Sequence, residues 1–557
     1  MKPLIECVPN FSEGRDLTII KQITDAIESV DGVRLLNVDP GKATNRTVVT
    51  MVGEPSSVVE AAFRAIQKAG ELIDMSKHKG EHPRMGATDV CPFIPVAHIT
   101  MEETAKYAQE LATRAGKELK IPVYLYEAAQ KKEERKNLSI IRAGEYEGFF
   151  KKIKLPEWKP DFGPSEFDAK RGATVIGARE FLVAYNINLN TTSTRRANAV
   201  AFDVREAGRT AKDNKGVVLK GADGNPISIP GSLKSVKAIG WFIEEYGIAQ
   251  ISMNLTNINI TSVHEAFDEV CKKATERGIR VTGSELVGLI PLKSMLEAGK
   301  YFLRKQKRST GVSESELIRI AALSLGLNEL GSFKPEERII EYLLRDPSKA
   351  KLIRMSAEEF ANETASESPA PGGGSVSAYL GALGAALGTM VANLSSHKAG
   401  WDDRWEEFSG WAEKGQAIKD KLLSLVDEDT AAFNKIMEAM SLPKGTDEEK
   451  KARKQAIEIA TKYATLVPFQ TMQASFTAFD LLKAMAEKGN PNSVSDVGVG
   501  VLCTRTAVYG AWLNVKINAK GLEDKPFAED ILKRGADILR VTLLAETEIM
   551  KIAEGKL

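Results

Sequence analysis

Apolar positions along the first third of the chain change period several times, and each change predicts an element. Residues 4–8 read as a buried strand, and 16–30 as a helix with Ile19, Ile20, Ile23 and Ile27 on one side. Strands follow over 33–39 and 47–52, a helix over 56–73 and an apolar run over 91–96. The order is β-α-β-β-α-β, the split βαβ or ferredoxin-like arrangement. A helix over 101–117, a strand over 122–126 and an irregular, proline-bearing stretch to about 163 complete this unit.

The same order comes round again without a convincing residue-level repeat. Strand 181–189, helix 193–207, strands 236–242 and 249–255, helix 262–277 and strand 280–287 predict a second sandwich of similar topology, with a ligand cleft or tunnel where the two meet. Residues 313–345 read as a helical, polar connector. After Ser356, which forms a capping box with Glu359, strand signals stop, and helices are predicted over 375–396, 403–440, 446–466, 469–488, 493–518 and 528–554. The chain therefore reads as multidomain: a duplicated α+β ferredoxin-like module with subdomains 1–178 and 179–303, a helical connector 304–353, and an all-α helical domain 354–557.

Composition narrows the function classes. The 557 residues exceed what one core supports. Lysine plus arginine (76) balances aspartate plus glutamate (75), so the whole molecule is not steered toward nucleic acid or an acidic membrane. Cys7, Cys91, Cys271 and Cys503 lack the spacing of a zinc site or a disulfide framework and fit a reducing cytoplasm. An acid and a proline stand near the N-terminus where a secretory signal needs an apolar core. Residues 370–396 carry no charge, but their Gly, Ala and Ser content reads as a bundle's central helix rather than a membrane span.

Chemistry concentrates in Gly80-Glu81-His82-Pro83-Arg84-Met85-Gly86-Ala87-Thr88-Asp89. Pro83 biases His82 toward extended geometry, and the loop opens onto an apolar strand, which is where an acid-base site is commonly built. Asp39 and Arg46 flank the turn between two strands whose ends can converge on this loop. Asp39 is expected to hold the imidazole in one tautomer and Arg46 to grip a carboxylate. A plain surface turn with an incidental histidine is the competing reading of the same residues. His78, His98, His264 and His397 match no catalytic pattern.

In the helical part, Gly372, Gly373, Gly374 and Ser375 open a long helix whose free N–H groups suit an anion or a pterin carbonyl, or merely cap it. Asp429 shares a helical face with Leu422, Leu425, Val426, Ala432, Phe433 and Ile436, so its carboxyl is either paired or raised in pKa, while Asp427 points elsewhere. Asp496, in a segment with Asn492 and Ser493, either lines the same pocket or serves in an ordinary capping pattern.

Five stretches together resemble the formiminotransferase-cyclodeaminase family: Glu6-Cys7-Val8-Pro9-Asn10-Phe11-Ser12-Glu13-Gly14, the turn Asn45-Arg46, the loop 80–89, Trp158-Lys159-Pro160-Asp161-Phe162-Gly163-Pro164, and Pro369-Ala370-Pro371-Gly372-Gly373-Gly374-Ser375. They spread over nearly the whole chain. The resemblance implies a folate enzyme of histidine degradation with two activities, a glutamate formimidoyltransferase and a cyclodeaminase (an ammonia-lyase). The first module would transfer a formimino group from N-formimino-L-glutamate to N5 of tetrahydrofolate, with His82 as acid-base catalyst. The second would cyclise 5-formiminotetrahydrofolate to 5,10-methenyltetrahydrofolate and release ammonia, with the catalytic aspartate at Asp429.

The family's folate-binding segment matches 163–172, which contains Ser165, with Gly163, Pro164 and Gly172 shaping the backbone and Phe167 covering the pterin. The resemblance also implies tetrahydrofolate as co-substrate, with or without a polyglutamate tail, no metal, and a cytoplasmic homo-oligomer. Its partners would be small molecules, with neither nucleic acid nor membrane among them. Two alternatives stay open: one module catalytic and the other a folate-binding or assembly platform, or a second module that is a methenyltetrahydrofolate cyclohydrolase.

Overall fold

The alternation of strand 4–8 continues beyond a break at Pro9, and the sheet is organised around that broken strand. In the computed structural model, which describes residues 3–42, 44–80, 82–345 and 351–557, Leu4–Cys7 and Asn10–Phe11 lie end to end between Arg46–Gly53 and Thr88–Ala97. The Val8 N–H donates to Pro92 O at 3.1 Å and Pro9 O accepts from Val49 N at 3.0 Å, so the ladder bridges the proline. Glu81 of the polar loop and residues 346–350 of the expected connector lie outside the described residues.

Two units make up the chain, 1–294 with 325–343 and 295–324 with 344–557. In the first, strands run in the order Val33–Gly41, Arg46–Gly53, the broken strand, and Thr88–Ala97, all antiparallel. The second sheet runs Val236–Ile243, Ile248–Leu255, Val183–Leu189, Val281–Val287. Numbered within each β-α-β-β-α-β set, both orders are 2-3-1-4. The duplication expected from element order alone is therefore a duplication of topology.

Each sheet has one covered and one open face. Helices Leu17–Glu28, Pro55–Leu72 and Met101–Glu118 bury Ile5, Cys7, Val49, Met51 and Phe93 beneath the first sheet. Helices Thr194–Val204 and Val263–Thr275 cover the second. Since successive side chains alternate faces, Glu6, Val8, Asn10, Arg46, Val48 and Thr50 turn to the open side of the first sheet.

Several expectations need correction. Strand Thr174–Ala178 was not anticipated, and its parallel pairing with Thr88–Ala97 and Val123–Glu127 extends the first sheet to seven strands when the two pieces of the broken strand are counted separately. A small pairing of Arg209–Thr210 with Ser228–Ile229 was also missed. The connector is less polar than its composition implies. Leu317, Ile318 and Ala321 are buried in one unit, Ile339 and Ile340 in the other.

In the helical unit, the two helices expected over 446–466 and 469–488 are one, Asp447–Lys488, running through Pro468. Proline lacks the N–H that would bond Ala464 O, and the Asn518 side-chain amide donates to that carbonyl at 2.7 Å instead. The uncharged helix Gly373–Ser396 is long and apolar enough to cross a membrane by length and composition, yet it packs against Trp405–Ser441, Asp447–Lys488 and Val494–Lys520. Side chains at Gly381 or Gly384 would fall on Ser475 and Thr504, so close helix approach accounts for its glycines.

Candidate functional site

Between the open faces of the two sheets lies a cavity of about 780 Å³, lined on one wall by Glu6, Asn10, Arg46 and Tyr126 and on the other by Asn186, Lys237, Trp241 and Ser252. His82 and Pro83 reach into it from their loop. The His82 ring is half-buried, with Nδ1 2.7 Å from the Pro83 carbonyl oxygen. A carbonyl only accepts, so Nδ1 carries the proton and Nε2 keeps its lone pair. Burial, and then the charge of Arg46, hold the imidazole pKa down at about 4. The ring is neutral at neutral pH.

Arg46 is buried and tethered. Its Nε donates to Asn10 Oδ1 at 3.2 Å and its Nη1 pairs with Asp89, while Arg142 pairs with the same carboxylate. The Met85 N–H donates to Asp89 Oδ1 at 3.0 Å. Burial pushes the Asp89 carboxyl up, but the two guanidinium charges and these hydrogen bonds hold it below the usual carboxylate range. Two cations on one anion leave the wall beside His82 positive, which suits a carboxylate-bearing substrate.

Asp39 lines the cavity but is exposed at its rim. The expectation that it holds the His82 tautomer is corrected, because the Pro83 carbonyl takes that role. Gly163, Pro164, Ser165, Phe167 and Gly172 are not among the residues that line this cavity. Gly163 and Gly172 adopt φ of +84° and +69° and press on the backbones of Ile121 and Met85, where a side chain has no room. The Phe167 ring packs 5.5 Å from Tyr146 and 6.0 Å from Phe149. Those residues belong to helix Glu145–Lys152, whose start at Gly144 and Glu145 lines the cavity, so the segment supports the wall from behind.

Sequence reasoning missed Glu6, Tyr126, Arg142 and Arg179 as cavity residues. Glu6 had a signal, a lone acid inside an apolar strand; Arg142 and Arg179 had none.

The helical unit brings together Gly374, Ser375 and Asp429. The Ser375 hydroxyl lies 2.8 Å from Val426 O and 3.3 Å from Asp429 Oδ2, at the start of Gly373–Ser396. Gly372 caps this helix without a side-chain bond, and Gly373 adjoins the Asn514 amide. Burial raises the Asp429 carboxyl, with the Ser375 hydroxyl and N–H holding it partly back. Asp427 instead accepts from the backbone N–H groups of Leu352 at 2.8 Å and Ile353 at 3.3 Å.

Asp496 is not brought to this place. Helix Val494–Lys520 runs antiparallel to Gly373–Ser396, with Asn514 beside Gly373 and Thr504 beside Gly384. Asp496 is eighteen residues before Asn514, roughly 27 Å along the axis. Nor does it take part in a cap, since Ser493 makes no side-chain capping bond. Among the described residues, no group of three His, Cys, Asp or Glu side chains is arranged to hold a metal ion.

Residues 4–179 match the formiminotransferase domain, N-terminal subdomain; 184–345 match the formiminotransferase domain; and 356–537 match formiminotransferase-cyclodeaminase. The chain is 44% identical over 556 residues to the formimidoyltransferase-cyclodeaminase of Dictyostelium discoideum, covering 100% of this chain and 99% of that one. Over 303 residues it is 43% identical to the glutamate formimidoyltransferase of Thermoplasma acidophilum (54% of this chain, 92% of the relative). Over 176 residues it is 43% identical to the methenyltetrahydrofolate cyclohydrolase of Methylorubrum extorquens (32% and 85%). With three domains of one family matched in order along the chain and a relative matched along its whole length, the chain belongs to the formiminotransferase-cyclodeaminase family.

Proposed function

We propose that the chain carries both reactions of its family at two sites, formimino transfer at His82 in residues 1–303 (subdomains 1–178 and 179–303) and cyclodeamination at Asp429 in residues 354–557, with 304–353 connecting them. Tetrahydrofolate is the co-substrate, in forms with or without a polyglutamate tail. The observation that carries this reading is the neutral imidazole whose Nε2 lone pair meets no donor among the described residues, beside a net positive wall in a cavity of substrate size.

In the first reaction N5 of tetrahydrofolate attacks the formimino carbon of N-formimino-L-glutamate, whose carboxylates meet Arg46 and Arg142. His82 Nε2 takes the N5 proton as the N5–C bond forms. The imidazolium then gives the proton to the glutamate nitrogen, and the C–N bond breaks to release glutamate. In the second reaction N10 attacks the same carbon. The formimino nitrogen takes the proton that N10 gives up, the Asp429 carboxyl, kept protonatable by burial, hands it a further proton, and it leaves as ammonia to yield 5,10-methenyltetrahydrofolate. Gly372, Gly373 and Gly374 present backbone N–H groups to the folate there, while Ser375 holds the Asp429 carboxyl.

The likeness to a methenyltetrahydrofolate cyclohydrolase gives a second reading of the helical site, in which the folate is hydrolysed at its methenyl carbon. Supplying 5-formimino- and 5,10-methenyltetrahydrofolate separately distinguishes them: ammonia release from the first supports cyclodeamination, and turnover of only the second overturns it. Glutamate release tests the transferase in the same preparation. A chain that performs only one of these reactions would leave the other module as a binding or assembly platform.

A cytoplasmic homo-oligomer fits two features. The four cysteines are free thiols. Val499, Leu502, Tyr509, Leu513 and Ile517 form an exposed apolar stripe on helix Val494–Lys520. Sedimentation equilibrium tests the assembly, and a monomer at micromolar concentration would refute it.

A further inference from the structure

Strand Leu4–Cys7 sends Ile5 and Cys7 into the core and Glu6 into the cavity. Glu6 is only 5% exposed, and among the described residues nothing donates a hydrogen bond to its carboxyl group. A buried carboxyl without a donor is unfavourable unless a ligand supplies one. Burial holds its pKa at about 7, with the Arg179 charge drawing it down and Glu341 pushing it up, so both protonation states are within reach at neutral pH.

The best complement to a carboxylate is a pair of coplanar N–H donors. The substrates of the proposed transferase offer two such groups, the 2-amino-N3-H edge of the pterin and the formimino group itself. Position decides between them. Asn10, whose amide oxygen accepts from Arg46 beside His82, stands four residues along the broken strand from Glu6, roughly 13 Å. The formimino carbon must react near His82. What reaches Glu6 is therefore a part of a substrate remote from the reacting bond.

We propose that Glu6 anchors the pterin, its carboxylate accepting two N–H bonds from the aminopyrimidinone edge of tetrahydrofolate and thereby turning N5 toward His82. This rests on the reading that the cavity is the transferase site.

Glutamate release by the full chain tests it, since that readout is blind to the helical site. Glu6→Gln should lower kcat/KM for tetrahydrofolate by on the order of 10- to 100-fold. The KM for formiminoglutamate should stay within about threefold. Wild type should discriminate against 2-desaminotetrahydrofolate by a similar factor, and Glu6→Gln should have lost that discrimination. The analogue arm needs no variant, so it decides the matter even if Glu6→Gln folds poorly. Equal use of both folates by wild type overturns the proposal. So does a Glu6→Gln effect confined to the KM for formiminoglutamate, which would put the formimino group on this carboxylate. Wild type that releases no glutamate at all would instead sink the transferase reading, and the pterin anchor with it.

Discussion

The Asp429 carboxyl group occupies the space that a side chain at Gly374 would need, so a carboxyl from one long helix lies against the first turn of another. The helix dipole there favours the anion while burial favours the acid. That opposition suits a group that must both hold and surrender a proton. Gly374→Ala is expected to displace the carboxyl and reduce ammonia release from 5-formiminotetrahydrofolate by on the order of 10²-fold, with glutamate release unchanged. Equal cyclisation by this variant would show that the docking has no bearing on chemistry.

Asp429→Asn should abolish ammonia release while transfer continues and 5-formiminotetrahydrofolate accumulates. An amide of the same shape cannot donate the carboxyl proton. Asp427→Asn is the informative control, because its carboxylate satisfies the Leu352 and Ile353 N–H groups. It should cost about 1 kcal/mol of stability in denaturant titration and keep cyclisation. The reverse pattern of activities would move the catalytic role to Asp427.

His82→Ala should slow glutamate release by roughly 10²–10⁴-fold and spare cyclodeamination of supplied 5-formiminotetrahydrofolate. The two sites belong to different units of the chain. Transfer surviving within about threefold would remove His82 from the acid-base role.

Glu6 predicts a pH-dependent stability. Its folded pKa, about 7, lies above the ordinary 4.5, so its contribution is fully present below about pH 4.5 and lost as pH rises through 7. Glu6→Gln carries no such loss. The stability of the variant minus that of wild type should therefore grow between pH 5 and pH 8, by up to about 3 kcal/mol. Urea titrations of both proteins without folate at the two pH values measure it, and a constant difference contradicts the buried carboxyl.

The order of strands was legible because one face of each sheet is apolar, so residues such as Ile5, Cys7, Val49 and Met51 alternate with the cavity residues. Thr174–Ala178 escaped because it is short and buried on both faces, which removes alternation. His82 and Asp429 stood out as titratable groups in unusual local settings, and both settings are in the structure. What they touch was not legible. Asp39 looked like the partner of His82 from strand-end proximity, but the imidazole bonds the carbonyl next in sequence. Asp496 looked close to Asp429 only because nothing local reports that its helix runs antiparallel to Gly373–Ser396. Nor was it legible that Phe167 packs against Tyr146 and Phe149 of helix Glu145–Lys152.

Pro468 shows how a local rule was overridden and how to test the cause. Without an N–H at 468, Ala464 O lacks its helical donor, and Asn518 from the neighbouring helix supplies one at 2.7 Å. Asn518→Ala should therefore destabilise the helical unit by roughly 1–3 kcal/mol, the cost of leaving a buried carbonyl unpaired. Adding Pro468→Ala restores the intrahelical donor, so the double variant should recover part of that loss despite the packing surface given up with the proline ring. In wild type the same Pro468→Ala change brings no such gain, because its new N–H competes with the amide of Asn518. The signature is thus non-additivity in a double-mutant cycle measured by denaturant titration. Strictly additive effects would mean that the helix passes through Pro468 for reasons of packing alone.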